Sequence, residues 1–191
     1  MKVNLVIPNE WKDITIQQFQ EFEENISSKK SKTNKLITSI SILCNVEERI
    51  IKKLKTRDLQ EIALEINKLE SKKPLAFELQ KVIEYKGFKY GLIPNMSEMT
   101  TGEFIDLETW AGNDNAMKNL HRIMSILYRP IVGSINVAGQ YKIETYEPTL
   151  EKENVMLGLP MDIALGCVNF FFRLGGLLIE NLHNSLNKRK K

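Results

Sequence analysis

Two helix-start motifs lie far apart in the chain and make an α-helical fold the first expectation. In each motif a threonine stands three residues before a glutamine or a glutamate: Thr15 before Gln18, and Thr100 before Glu103. The two side chains of such a pair can satisfy free backbone amides in the first turn of a helix. Apolar residues at helical spacing follow the first motif, namely Ile16, Phe19, Phe22 and Ile26. The motifs predict helices that begin at about residues 15 and 100.

Apolar spacing predicts further helices along the chain. They cover Leu36–Leu43, about 56–69 and Leu150–Leu157, and a further helix starts at Asp114 or Asn115 and is stopped by Pro130. Asn45, with Glu48 three residues later, predicts the cap of one more short helix. Pro160 suits the first turn of a long final helix. We expect this helix to cover about 160–186 and a basic tail to follow it over 187–191.

One segment between the helices has the pattern of a β-hairpin. Val82–Tyr85 and Phe88–Ile93 are rich in β-branched and aromatic residues, and a Lys-Gly pair separates them. Glycine takes the positive φ angle that a tight two-residue turn requires. Two strands alone are only marginally stable. We therefore expect the hairpin to pack on helices or to pair with Val3–Ile7 or with Tyr141–Tyr146.

Length and composition fit a globular fold. The chain has 191 residues, of which 42% are hydrophobic and 27% are charged. A chain of this length can bury a substantial core without disulfides or metals. Neither an internal repeat nor a clear linker divides it. We expect a single α-rich domain over 1–191, mainly α, with a small β-hairpin at about 80–94 or a short antiparallel sheet.

The reactive residue types lack the spacing that catalytic and metal sites need. The chain has only two cysteines and two histidines, and they are far apart in the sequence. Glu103 and Asp106 share a helical face, but a carboxylate pair needs a pocket that shifts one pKa before it can act as acid and base. We predict no catalytic residue, no metal and no cofactor, and hence a protein that is not an enzyme.

Charge and hydropathy favour neither nucleic acid nor membrane as a partner. The net charge of +3 is mild, and the lysines near residues 29–35 and in the tail lack interleaved aromatic residues. The most apolar stretch, Val155–Ile179, is interrupted by Asp162 and Arg173, whereas a spanning helix needs about 20 apolar residues. We expect a buried core helix there, no signal peptide, and a soluble protein made in a reducing cytoplasm.

Three adjacent phenylalanines are the best physical indication of an interaction surface. Successive residues in a helix point about 100° apart, so three neighbouring rings cannot all face one core. Either this helix is buried on nearly all sides, or one ring faces a partner chain. The predicted partner-binding residues are Phe170, Phe171, Phe172 and Arg173, with Trp110, Tyr128 and Arg129 as further candidates.

Several segments together resemble a known group of phage proteins. The opening segment Ile7–Phe19 fits the pattern P-x-x-W-x-D-I-T-[IL]-x-Q-[FY]. The other matching segments are Tyr90–Pro94, Met99–Leu107, Leu127–Ile131 and Phe170–Phe172. With them the chain resembles small α-helical proteins of tailed bacteriophages that infect Bacteroidetes, including the crAss-like phages. In these phages such proteins are encoded among structural and tail genes.

The resemblance implies a virion protein that acts by contact. In crAss-like phages it implies a cargo protein that is made in the bacterial cytoplasm, packaged in the tail or portal region, and ejected into a new host. Its partners would be tail, portal or ring (muzzle) subunits and possibly copies of itself. The alternative is a tail-assembly chaperone that binds the tape measure protein and is absent from the mature virion. The resemblance brings no catalytic residues with it.

Overall fold

The computed structural model describes residues 5–71, 77–112 and 116–171. Its helices are α1 (Ile16–Ser27), α2 (Lys32–Leu43), α3 (Glu48–Ile51), α4 (Thr56–Ser71), α5 (Thr101–Ala111), α6 (Leu120–Leu127), α7 (Leu150–Leu157) and α8 (161–171). Its strands are β1 (Val82–Tyr85), β2 (Phe88–Leu92), β3 (Tyr128–Val132) and β4 (Lys142–Ile143). The predicted fold class, mainly α with a short antiparallel sheet, is confirmed. The predicted site residues Phe172 and Arg173, the remainder of the final helix and the basic tail lie outside the described residues.

The capping box at the start of α1 has the predicted geometry. The Gln18 amide N–H donates to Thr15 Oγ1 at 3.2 Å, and the Thr15 amide N–H donates to Gln18 Oε1 at 3.0 Å. The Gln18 side chain also donates from Nε2 to the carbonyl of Ile42 at 3.1 Å. One side chain therefore both starts α1 and fixes it against the end of α2.

The predicted cap at Asn45 is wrong, because this residue ends α2 instead of starting α3. Asn45 has a φ angle of +50°, and the amide N–H of Val46 donates to the carbonyl of Ser41 at 3.0 Å. A left-handed residue with this bond is a common way to close a helix, and asparagine tolerates that conformation better than most residues. Helix α3 begins after Glu47, which makes no capping bond with its side chain.

The sheet contains one strand that the sequence pattern does not predict. All neighbouring strands are antiparallel, in the order β1-β2-β3-β4. The hairpin turn has positive φ angles at Lys86 and Gly87, as a tight hairpin requires. Strand β3 follows α6 directly and pairs with β2 of the hairpin. The expected pairing of the hairpin with Val3–Ile7 is wrong for residues 5–7, because they form no strand. The predicted segment Tyr141–Tyr146 contributes β4, but the expected pairing with the hairpin is wrong, because β4 pairs with β3.

The core lies between α1, α6 and the start of α8. Met124, Met161 and Ile16 are fully buried there. The amide N–H of Ile16 donates to the Leu159 carbonyl at 3.0 Å, so the chain entering α1 is bonded to the chain entering α8. Residues 164–167 of α8 are buried, as expected for a core helix. None of the described helices has the length and apolar character needed to cross a membrane.

Candidate functional site

Helix α5 turns a charged residue inward and two large apolar residues outward. Glu103 is 3% exposed and is the buried residue of this helix, all of whose residues are described. Phe104 is 57% exposed and Ile105 is 53% exposed. Exposed apolar residues that stand next to one another mark surfaces that contact other molecules. We call Phe104, Ile105 and the neighbouring Glu108 the outward face of α5.

A buried ion pair explains why Glu103 points inward. Glu103 Oε1 lies 2.6 Å from a terminal guanidinium nitrogen of Arg129 on β3, and the two side chains are 4% and 11% exposed. The second carboxylate oxygen, Oε2, accepts a hydrogen bond from the Thr100 amide N–H at 2.5 Å. The glutamate of the predicted capping box is therefore also the anchor of α5 on the sheet. With Glu103 fixed, the next two residues are directed towards solvent.

A second contact holds the same part of α5. The Tyr146 hydroxyl donates to Asp106 Oδ2 at 2.7 Å, and the Arg129 guanidinium lies 5.7 Å from the centre of the Tyr146 ring. Burial, followed by the hydrogen bond to Asp106, raises the pKa of Tyr146, so the phenol stays protonated and can donate. Two of the three carboxylates of α5, those of Glu103 and Asp106, are thus engaged by an arginine and a tyrosine. The one histidine in the described part of the chain, His121, contacts Gln20 and not these carboxylates.

The carboxyl-terminal end of α5 carries Trp110, one of the predicted contact residues. The guanidinium carbon of Arg122 lies 4.1 Å from the centre of the Trp110 ring. Arg122 Nε in turn lies 3.3 Å from Glu153 Oε2 on α7, without the geometry of a hydrogen bond. Trp110 is half-buried. Its indole therefore forms the end of the α5 surface, held in place by a cation that stacks on the ring.

The two described phenylalanines of α8 have different surroundings. Phe170 is 37% exposed, and its ring packs edge-to-face on Phe171 with 5.4 Å between centres. Phe171 is half-buried and lines a cavity of about 210 Å³ between α5, α6 and α8. The other lining residues are apolar or thiol side chains, namely Leu107, Ala111, Ala116, Ile123, Met124, Leu127, Cys167 and Val168. The structure therefore brings Phe171 close to the part of α5 that carries Trp110.

Tyr128 and Arg129 are turned inward. Tyr128 is 1% exposed, and its hydroxyl donates to the Gln80 carbonyl at 2.5 Å. Burial raises the pKa of Tyr128 far above the usual value for a phenol. Arg129 is 9% exposed and pairs with Glu103. Both residues line a cavity of about 300 Å³ against α7, and Arg129 holds α5 against the sheet through its ion pair with Glu103.

Phe104 and Ile105 are the surface residues that the sequence pattern does not single out. Their spacing from Leu107 and Trp110 suits a helix, but it distributes the four apolar residues around the circumference and not along one stripe. That distribution is the only sign in the sequence that some of these residues are exposed, because a helix packed on one side cannot bury all four. Which residues remain outside is decided by Glu103, whose inward direction depends on Arg129, far away in the sequence.

Comparisons with protein-family models, with curated proteins and with solved structures give no match. Within residues 5–71, 77–112 and 116–171, no three His, Cys, Asp or Glu side chains are placed to hold a metal ion. The site is therefore described by its own geometry. Phe104 and Ile105 form an exposed apolar pair on α5, and the buried Glu103–Arg129 ion pair holds the opposite side of this helix against the sheet.

Proposed function

We propose that the protein is a virion component of a tailed bacteriophage, located in the tail or portal region, that works by protein–protein contact and not by catalysis. The observation that supports this most is the outward face of α5. Phe104 and Ile105 are both more than half exposed, while a glutamate of the same helix is buried. A helix oriented in this way gains stability when another protein covers it.

The stabilisation available from covering Phe104 and Ile105 can be estimated from their exposure. Full burial of a phenylalanine or isoleucine side chain contributes about 1.5–3 kcal/mol. Because Phe104 and Ile105 are only a little more than half exposed, covering both side chains contributes about 1.5–3 kcal/mol in total. The Glu103–Arg129 pair is buried and short, so α5 does not have to be ordered when the partner arrives. A surface that is already ordered loses less entropy on binding.

Within this function we propose that the protein is cargo that is packaged in the particle and ejected into the host. Passage through a narrow channel requires the chain to unfold. Cys44 and Cys167 are free thiols in the structure, so no disulfide between them has to be reduced first. Domains of this size are stable by only about 5–15 kcal/mol. Its partners in the particle would be tail, portal or ring subunits.

One observation favours a second candidate, a tail-assembly chaperone for the tape measure protein. The cavity of about 210 Å³ between α5, α6 and α8 is lined by apolar side chains, including the adaptable Met124 and the ring of Phe171. A cavity with this lining can accept an apolar side chain of a helical client. In this function the protein would bind during assembly and leave before the particle is finished.

Quantitative mass spectrometry of three samples distinguishes these functions: infected-cell lysate, purified particles, and particles that have ejected their contents. Cargo is abundant in full particles and lost from emptied ones. A chaperone is present in the lysate and absent from both kinds of particle. Equal abundance in full and emptied particles indicates a fixed virion subunit and contradicts ejection. Detection in uninfected host cells contradicts the phage assignment altogether.

A further inference from the structure

We propose that the outward face of α5 binds the corner between α1 and α2 of a second copy of this chain, so that copies associate head to tail. This inference rests on the contact surface used in the proposed function and names one partner for it. The argument depends on two exposed patches of opposite charge, each with an apolar centre.

The first patch lies in an acidic part of the chain. Between Lys89 and Lys118 the sequence has no lysine, arginine or histidine, but it has five acidic residues: Glu98, Glu103, Asp106, Glu108 and Asp114. Glu103 and Asp106 are engaged by Arg129 and Tyr146. Glu98 and Glu108 are exposed. Glu108 is three residues after Ile105 and four after Phe104, so it shares their face of the helix.

The second patch lies where α1 ends and α2 begins. Ile26 is 43% exposed, and the exposed Lys29, Lys30 and Lys32 follow it. The segment Asn25–Lys35 contains four lysines and no acidic residue. Glu23 and Glu24 precede Ile26, so the stretch from Glu23 to Lys35, with four lysines and two glutamates, carries a net charge of +2 next to this apolar side chain. We call Ile26, Lys29, Lys30 and Lys32 the basic corner.

The two patches complement each other in charge and in apolar character. Opposite potentials on two surfaces steer association and select the partner. Both patches are exposed in the protomer, so neither covers the other within one chain. A contact between two different patches is heterologous, and it builds rings or filaments, not a two-fold dimer. A two-fold contact of α5 with α5 would instead place acidic surface against acidic surface.

The expected association is weak and sensitive to salt. Each patch offers only one or two large apolar side chains, so the interface belongs to the small class below about 1,200 Å². Exposed charges also lose most of their attraction at high ionic strength. Such a contact becomes populated where the protein is concentrated, as in a phage particle.

Sedimentation velocity of the full-length protein tests the inference. Near about 0.01 M ionic strength, where charges act over about 30 Å, the weight-average mass should rise with concentration from 22.1 kDa to twice that value or more. Near about 1 M salt, where the range is about 3 Å, the protomer mass should return. A constant protomer mass at low salt overturns the inference, and it leaves the location in the virion to the mass spectrometry of particles.

Mixing two variants identifies the pairing of the patches. The α5 variant Phe104→Ser/Ile105→Ser and the corner variant Lys29→Glu/Lys32→Glu should each remain protomeric alone. Their equimolar mixture should form dimers and nothing larger, because one intact α5 face meets one intact corner. If the corner variant alone still self-associates like the wild type, the contact does not use the corner and the inference is overturned.

Two controls keep this experiment decisive. Leu64→Ser removes a leucine of α4 that is 60% exposed, and this variant should associate as the wild type does. Far-UV circular dichroism verifies that each variant is folded. If Phe104→Ser/Ile105→Ser does not fold, Glu108→Lys replaces it: this variant should be protomeric alone and should recover dimers with Lys29→Glu/Lys32→Glu. Failure of that recovery counts against the inference.

Discussion

The Glu103 carboxylate lies 2.6 Å from the Arg129 guanidinium in the interior of the protein, and this ion pair decides which side of α5 faces solvent. The glutamate comes from a helix and the arginine from the third strand of the sheet. Because the pair fixes the rotation of α5, it leaves Phe104 and Ile105 outside. The candidate contact surface is therefore a consequence of a buried electrostatic contact and not of a surface motif.

Removing one partner of this pair should destabilise the fold strongly. Glu103→Ala leaves the Arg129 charge buried without its counterion, which costs about 3–5 kcal/mol when a buried pair is broken. Replacing both residues, as in Glu103→Met/Arg129→Met, removes the uncompensated charge and should recover most of that loss. Urea unfolding followed by circular dichroism measures both changes. A double variant that is no more stable than Glu103→Ala would show that the uncompensated Arg129 charge is not the cause of the loss.

Both thiols should be unreactive in the folded protein. Burial raises the pKa of Cys44 to about 11 and that of Cys167 to about 12, and the thiolate is the form that reacts. Reaction with a chromogenic disulfide at mildly alkaline pH should be slow in the native protein and should reach two thiols per chain after unfolding in urea. Leu64→Cys adds an exposed thiol that should react at once. Native thiols that react as fast as that control would contradict the burial.

His121 should remain neutral below the pH at which a free histidine takes up a proton. Burial and the nearby Arg122 charge lower its pKa from 6.5, and Gln20 Nε2 lies 3.1 Å from its Nδ1. The unfolded chain then binds the proton more readily than the folded one. This part of the stability is complete above about pH 6.5 and is lost as the pH falls from there through the folded-state pKa.

Proton NMR titration of the two histidines measures that shift. His183→Gln leaves the His121 signal alone and provides its assignment, while His121→Gln should flatten the dependence of the urea midpoint on pH in this range. A His121 midpoint above 6.5 would mean that the charged form is favoured in the fold, contrary to the buried position described.

A methyl group at Gly91 should be poorly tolerated. A Cβ atom built at this position on β2 overlaps the ring of Tyr141, whose hydroxyl donates to the carbonyl of Leu92 at 2.9 Å. Gly91→Ala must displace this ring, and overpacking of that kind costs about 1–3 kcal/mol. Gly102→Ala is the matched control, because a Cβ there meets open space and alanine favours a helix by about 1 kcal/mol. Equal urea midpoints for the two variants would contradict the contact.

The local elements of this fold could be predicted because their signals are local. The capping boxes at Thr15 and Thr100 need only a few neighbouring residues, and so does the hairpin turn at Gly87. Strand β3 could not be predicted, since Pro130 lacks an amide donor and indicates a chain break more strongly than a strand. In the sheet, Pro130 is tolerated opposite Tyr90 and accepts a bond from the Glu144 amide at 2.9 Å.

The candidate site was harder to predict because long-range contacts arrange it. Trp110 lies on α5 at the end of the candidate surface, and its position depends on Arg122, which stacks on its ring from α6. The exposure of Phe104 depends on a pairing between Glu103 and Arg129 that no spacing in the sequence reveals. Tyrosine is a residue type that is common in protein interfaces, yet Tyr128 is buried because its side chain lies on the inner side of β3.

Incorporation of variant proteins into phage particles tests most directly whether the outward face of α5 is the surface by which this protein acts. Particles are produced with the wild type, with Phe104→Ser/Ile105→Ser, or with the equally exposed control Leu64→Ser, and the copies per particle are counted by mass spectrometry. We expect the control to match the wild type and the α5 variant to fall by about tenfold or more, as loss of about 1.4 kcal/mol or more of contact energy requires. Equal incorporation of all three proteins would contradict the proposed role of α5.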